Sequence, residues 1–272
     1  MSLVDLRWLA VCRICLGVAL AMDCVEVGAV LSGVAAGELA MPRFDAVPIT
    51  GPAVTAWMLA NLVAALLLVV GVFVREAALT AALLGGVAIL VEQQAYSNHY
   101  WLLSLLLALI AFTPADRRLS LMGRRMEDDH ALSAAAMLML TQLTVCYAFG
   151  ALSKMNPWWI AGDELRNVLW LDLAAWMYAP LAAAVVVTEL FIAAGVWFRT
   201  TRIPALAAGL GLHVSIVVLM QATWPLLAFA ITCLSLYPLV LGAPYLTDVF
   251  RDRRLRAADS GPPHRLVADV EL

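Results

Sequence analysis

The chain has 272 residues, of which 64% are hydrophobic and 14% are charged, and its formal net charge is −3 at pH 7. Its mean hydropathy is +0.90. Soluble domains are nearer half apolar and a quarter charged, so this composition excludes an ordinary soluble fold. The basic residues are spread over separate polar segments, which argues against a nucleic-acid partner. We therefore expect one integral membrane domain in contact with the lipid bilayer.

Apolar runs of the length that a transmembrane helix needs occur along most of the chain. In chain order they predict helices at residues 8–36, 55–74, 77–94, 98–113, 131–153, 172–198, 203–220 and 224–243. The first run carries charged residues and is not followed by a small-residue cleavage site, so we expect a retained helix and not a signal peptide. Residues 246–272 are polar and predict a disordered cytoplasmic tail after a transmembrane domain at 1–245.

The fold class is thus all-α: a polytopic membrane helical bundle of about eight transmembrane helices. Arginine positions give its orientation, because cytoplasmic loops are rich in Lys and Arg. With eight spans, one side holds Arg7, Arg75, Arg117, Arg118, Arg124, Arg125, Arg199, Arg202, Arg251, Arg253, Arg254, Arg256 and Arg265. The other side holds only Arg43, Lys154 and Arg166. This asymmetry predicts a multi-pass protein of the cell (plasma) membrane, with both termini cytoplasmic and Lys154 extracytoplasmic.

The segment 154–171 is too short to cross the membrane twice, yet it contains three tryptophans and several aliphatic residues. Aromatic side chains favour the headgroup level of a bilayer. The segment therefore predicts one interfacial or re-entrant element. Non-helical backbone at that depth must be packed in protein or line a cavity.

Ionisable side chains inside membrane spans are costly and usually face the bundle interior or a cavity. Here they are Arg13, Asp23, Glu26, Glu92, His99, Glu189 and His213. Asp23 and Glu26 share one helix face, which could pair with a basic group elsewhere. The alternative to a functional role is snorkelling for Arg13 and a position near the outer interface for Asp23 and Glu26. Glu92 and His99 flank a tight turn that water could reach. Glu189 and His213 could each make a satisfied hydrogen bond between helices.

Lys154 is the least ordinary of the polar residues, because it is the only lysine in the chain. The alternative to a functional lysine is one that only stabilises a helix C-terminus through the helix dipole.

No metal site is predicted from the sequence. Cys12 and Cys15 have the C-x-x-C spacing, but no second pair or histidine cluster lies near them in sequence. The five cysteines are interpreted as free thiols in apolar runs. His99 and His213 are separate and show no metal-ligand spacing.

The segment Gln142-x4-Tyr147-Ala-Phe-Gly150-x3-Lys154-Met-Asn-x2-Trp159-x2-Gly162 resembles the core of the vitamin K-dependent γ-carboxylase family. That family shares its membrane domain with bacterial HTTM (horizontally transferred transmembrane domain) proteins. Upstream, Asn98-His99-Tyr100-Trp-Leu resembles the Asn-His segment of the family. The likeness covers most of residues 1–245, with Glu189 and His213 in similar places.

The resemblance implies a chemistry. In the carboxylases a neutral lysine deprotonates a reduced naphthoquinone, to which oxygen then adds. The strongly basic oxygenated quinone removes a γ-proton from a glutamate. Carbon dioxide traps the resulting carbanion. The base corresponds to Lys154, and His99 would stabilise a charged intermediate. Asn98, Gln142, Tyr147, Trp159, Glu189 and His213 are the implied substrate- or cofactor-binding residues. The cofactor would be vitamin K hydroquinone or menaquinol, with oxygen and carbon dioxide as co-substrates.

Two departures from the animal carboxylases bear on the reaction. Those enzymes carry a large lumenal domain where this chain has a short tail, and their paired lysine is Ser153-Lys154 here. The closest architecture is that of the bacterial stand-alone members, some of which mature secreted peptide toxins with a small soluble partner.

Three functions stay open at the level of sequence. One is an enzyme that modifies a secreted or membrane peptide. The second is a non-catalytic membrane partner, such as an immunity or maturation factor for a secreted peptide toxin. The third is a small transporter, for which matched broken helices would be expected.

Overall fold

The computed structural model describes residues 2–44, 48–123, 130–221 and 223–243. The predicted tail at 246–272 lies outside the described residues. The helices are α1 (Leu6–Ala35), α2 (Gly51–Val70), α3 (Val74–Val91), α4 (Asn98–Ile110), α5 (Ala134–Ser153), α6 (Pro157–Ile160), α7 (Asp163–Val168), α8 (Ala175–Gly195), α9 (Arg202–Leu219), α10 (Thr223–Leu234) and α11 (Tyr237–Gly242). A short 3-10 helix spans Gln93–Ala95, and two strands, β1 (Ser2–Asp5) and β2 (His130–Ser133), pair in antiparallel register.

The all-α membrane fold predicted from the sequence is confirmed. Within the described residues, seven helices are long and apolar enough to cross a membrane, counting Thr223–Gly242 as one. The helix α4 has 13 residues and is about 20 Å long at 1.5 Å per residue, which is shorter than the hydrocarbon core. The exact number of membrane crossings therefore stays a prediction.

The helix bounds differ from the predicted ones by up to four residues, as at α2 (Gly51–Val70 against 55–74), and two of the differences have a clear physical cause. The run at 131–153 begins as a helix only at Ala134, because His130–Ser133 pairs with the N-terminal strand and Ser133 caps the helix that follows. The last run, 224–243, is broken between α10 and α11. Pro238 lacks the backbone N–H that a continuous helix would use at that point.

One end of the bundle, called here the arginine end, is formed by the strand pair and by the loops after α2 and α4. The buried Arg13 side chain donates hydrogen bonds to the carbonyl oxygens of Ala115 and Leu119, at 3.0 and 2.5 Å. Leu121 N–H bonds the carbonyl of Val70 at 3.1 Å. Arg13 therefore ties α1 to the α4–α5 loop and does not snorkel to the surface.

The opposite end, called here the lysine end, gathers the other connections. Glu92, fully buried, accepts bonds from the backbone N–H groups of Met41 and Gln94. An isolated β-bridge joins Leu169 to Met220. Lys154 lies at this end because it follows α5 directly, and α5 starts at the arginine end beside β1.

These connections show how the chain alternates between the ends. The strand β1 precedes α1 and pairs with β2, which precedes α5, so α1 and α5 start at the same end of the bundle. Between these two starts the chain must therefore make an even number of passages from one end of the bundle to the other. The helices α1 to α4 supply four such passages, so α4 returns the chain to the arginine end despite its length.

The helix α1 lies at the centre of the group formed by α1 to α4. Its buried residues include Leu9, Leu16 and Leu20, while Leu66 and Leu83 on the outer faces of α2 and α3 are 62% and 69% exposed. Apolar side chains that face outward are what a lipid-embedded surface requires.

The segment 154–171 forms the short helices α6 and α7. Neither is long enough to cross a membrane. The two helices pack under α8 in a cluster of buried residues that includes Trp159, Leu165 and Tyr178.

The predicted orientation can be tested by thiol labelling in intact cells. Trp158 and Leu121 are 69% and 80% exposed at the lysine and arginine ends. Because arginine-rich ends stay cytoplasmic, a membrane-impermeant maleimide should label Trp158→Cys but not Leu121→Cys. The unsubstituted chain, with its five native cysteines, is the control, and the reverse labelling pattern would contradict the orientation.

Candidate functional site

Lys154 directly follows the last residue of α5 and reaches across to α8. Its Nζ donates to the Oε1 and Oε2 atoms of Glu189 at 2.9 and 3.0 Å. It also donates to the carbonyl oxygen of Gly150 at 3.1 Å. The three contacts use all three donors of a protonated lysine. The buried Glu189 carboxylate is thereby paired with the cation nearest to it.

The ring of Trp159 packs against the Lys154 side of this pair. The Lys154 Nζ is 5.4 Å from the centre of its ring, which is cation–π distance. The indole N–H bonds the carbonyl of Ala182 at 3.1 Å, and Trp159 is 7% exposed. Trp159 is therefore packed inside the protein, whereas the neighbouring Trp158, 69% exposed, fits an interface anchor.

A second polar group lies on the same face of α5, seven residues earlier. The Tyr147 hydroxyl is 2.8 Å from Nε2 of His213 and 2.8 Å from the hydroxyl of Tyr237. Seven residues make about two helical turns, so Tyr147 is about 10 Å from Lys154 along the helix axis. The predicted residues Tyr147, Lys154, Trp159, Glu189 and His213 are thus supplied by α5, α6, α8 and α9.

The other predicted residues lie elsewhere. His99 is on α4 beside α1, with Nε2 3.8 Å from Asp23 Oδ1 and 3.5 Å from Glu26 Oε2. Asn98 accepts a bond from the Tyr96 hydroxyl at 2.8 Å. In the part of the chain that the structure describes, no hydrogen bond or ion pair joins His99 to Lys154. The basic group that faces Asp23 and Glu26 is therefore His99.

Gln142 is half-buried on α5, five residues before Tyr147. Five residues rotate the helix by about 140° relative to Tyr147, so the two side chains leave different faces. Its predicted role in binding stays a prediction.

Tyr237 is a site residue that the sequence analysis missed. A Cβ atom at Gly209 would overlap the Tyr237 hydroxyl, so the glycine makes room for it. The signal was a tyrosine in an otherwise apolar span, but its pairing with Tyr147 depends on a contact between distant helices.

A cleft lies at the arginine end, away from Lys154. It has a volume of about 630 Å³ and is lined at the arginine end by residues that include Arg75, Asp116, Arg117 and Ser120. Its lining contains none of the predicted site residues.

Gly162 gives a test of how the segment that carries Trp159 is held in place. Its φ is +85°, and a Cβ atom there would lie 2.5 Å from Tyr178 Cβ and 2.6 Å from the Tyr178 carbonyl carbon. We expect Gly162→Ala to destabilise the protein by about 1–3 kcal/mol, because a left-handed backbone strains a non-glycine residue. Thermal unfolding in detergent measures this. The matched control is Gly211→Ala, where a Cβ would meet nothing within 4 Å; equal melting temperatures for the two variants would contradict the expectation.

Comparison with known proteins places these residues in a family. No curated protein and no solved structure matches the chain. The family model described as the HTTM domain matches residues 2–241. That range includes every predicted site residue, and it covers most of the 272-residue chain. The chain belongs to the HTTM domain family.

Proposed function

We propose that this protein is an integral membrane enzyme that uses a reduced naphthoquinone and oxygen to modify a secreted or membrane peptide, with Lys154 as the base. The cofactor would be vitamin K hydroquinone or menaquinol. Glutamate carboxylation with carbon dioxide is the modification that the resemblance to γ-carboxylases implies. The observation that carries the proposal is the bidentate contact between the only lysine and the buried Glu189, at 2.9 and 3.0 Å.

A lysine acts as a base only in its neutral form. The contact with Glu189 offers a way to reach that form without moving net charge. If the proton passes from Nζ to a carboxylate oxygen, an ion pair becomes a neutral amine beside a neutral acid. A neutral pair is easier to hold in apolar surroundings than a separated charge. Glu189 is therefore the positioning residue that stores the proton of Lys154.

The surroundings of the pair fit a lipid-soluble ring. The side chains of Lys154 and Glu189 are 24% and 10% exposed, so the amine can be reached from outside the bundle. Phe149, Leu152 and Met155 on the same stretch of chain are 66%, 54% and 50% exposed. These apolar side chains offer a lateral approach from the bilayer, and they exclude water from a reactive centre.

A bound quinol would be the reductant and oxygen the oxidant, and one oxygen atom would end in the quinone epoxide and the other in water. The residues of this chain supply the rest. Lys154 takes the hydroxyl proton of the quinol, and Glu189 holds the proton that Lys154 gave up. The ring of Trp159 holds the amine in position. The proposal does not depend on His99, whose charged neighbours are Asp23 and Glu26.

The test compares two substitutions of Lys154 in detergent-purified protein supplied with menaquinol, oxygen and a short glutamate-containing peptide. Lys154→Arg keeps the positive charge beside Glu189 but cannot lose a proton. Lys154→Ala removes both. We expect both variants to lose oxygen-dependent quinol consumption by roughly 100-fold or more, as loss of a general base does. Consumption is followed by quinol absorbance and an oxygen electrode.

Ser153→Ala is the matched control, because Ser153 is exposed and its hydroxyl bonds only the Gly150 carbonyl. It should retain turnover. Full turnover in Lys154→Arg would show that the lysine is a structural cation and would sink the base mechanism. Absence of quinol consumption in the unsubstituted chain would overturn the proposal and favour a non-catalytic membrane partner.

A further inference from the structure

Two carboxylates and one imidazole meet at the lysine end between α1 and α4, apart from Lys154. One oxygen each of Asp23 and Glu26 and one ring nitrogen of His99 all lie within 4.8 Å of one another. Asp23 and His99 come from helices far apart in sequence, which is why their spacing gave no metal signal. The sequence analysis predicted no metal here, and the grouping depends on how α1 packs against α4.

The Asp23 carboxylate is the least satisfied group in this cluster. It is 1% exposed, and neither of its oxygens has a hydrogen-bond partner in the described residues. Oε2 of Glu26 is also buried and unpartnered there. A buried carboxylate without donors costs several kcal/mol unless it takes up a proton or meets a cation.

Tyr100 gives an independent observation. It follows His99 on α4, is 1% exposed, and its hydroxyl has no hydrogen-bond partner among the described residues. A second buried polar atom is therefore left without a partner on the helix that carries His99.

A direct ion pair with His99 accounts poorly for the geometry. The distances of 3.8 and 3.5 Å from Nε2 to the two carboxylates exceed those of charge-assisted hydrogen bonds. They are close to the roughly 3.4 Å that separates two ligands of a tetrahedral ion with bonds of about 2.1 Å. Ser97 Oγ, 3.2 Å from the same nitrogen, caps α4 by accepting from Tyr100 N–H.

A divalent ion would neutralise this cluster with both carboxylates ionised. Two carboxylates and a protonated histidine leave a net charge of about −1 in an apolar setting, whereas two carboxylates, a neutral histidine and a divalent cation sum to zero. One imidazole nitrogen with two carboxylate oxygens suits zinc, manganese or ferrous iron, and it suits calcium or cuprous copper poorly.

We infer that Asp23, Glu26 and His99 form a binding site for one divalent transition-metal ion that bridges α1 and α4 at the lysine end. Three protein ligands leave at least one position open, as in metal sites that admit water or substrate. Glu26 and His99 are 29% and 16% exposed, so small ligands can reach the cluster from outside. The inference is independent of the Lys154 mechanism.

The test is metal analysis of the full chain, expressed with zinc, manganese or iron in the medium and purified in detergent through a tag without histidine. We expect about one ion per chain to survive desalting in a chelator-free buffer. Glu26→Gln and His99→Gln should each lower the retained metal at least about tenfold. Asp23→Asn should do the same if it folds, and size-exclusion profiles identify variants that do not.

His130→Gln is the matched control, because His130 is exposed at the arginine end. A cobalt titration followed by visible absorption adds a measurement that needs no activity. Less than a tenth of an equivalent in the unsubstituted chain under all three supplements (about the level of contamination) would overturn the inference. So would stoichiometric metal that persists in both Glu26→Gln and His99→Gln.

Discussion

A charge buried in an apolar bundle has to be neutralised or hydrogen-bonded where it lies, since neither lipid nor packed helices can solvate it. The lysine end of this protein places three carboxylates under that constraint. Glu92 meets it with the backbone N–H groups of Met41 and Gln94. Glu189 meets it with the ammonium of Lys154. Asp23 has only a distant imidazole.

The three ways of pairing a carboxylate differ in the later changes of protonation or of bound cation that they allow. Backbone donors cannot leave, so Glu92 only fixes the turn between α3 and α4. A lysine can give its proton to the carboxylate that it contacts, so Glu189 and Lys154 can change state without a change in net charge. An incompletely satisfied carboxylate beside a histidine calls for a further cation. The turn at Glu92, the acid–base role proposed for Lys154 and the proposed metal site thus each depend on how one acid is paired.

Much of the fold could be predicted from hydropathy and the positions of arginine, because both are properties of the linear sequence. Residues 154–171 were correctly predicted to lack the length for spans, since their apolar stretches are short. The strand pair of β1 and β2 could not be predicted, because each strand has four residues and its partner lies over a hundred residues away.

Sequence spacing anticipates contacts within one helix but not contacts between helices. Tyr147 and Lys154 share a face of one helix, so their spacing carried real information. The pairing of Lys154 with Glu189, of Tyr147 with Tyr237, and of His99 with Asp23 depends on contacts between helices that sequence periodicity does not specify. His99 and Lys154 occur in one family pattern, yet they lie in separate polar clusters.

The central claim is that Lys154 acts by losing a proton and not only by carrying charge. Small amines added to a Lys154→Gly variant test it most directly. Methylamine can replace the missing base, whereas tetramethylammonium carries the same charge and has no proton to lose. The account predicts that methylamine restores oxygen-dependent quinol consumption and that tetramethylammonium does not. Equal restoration by both cations, or full activity without either, would contradict it.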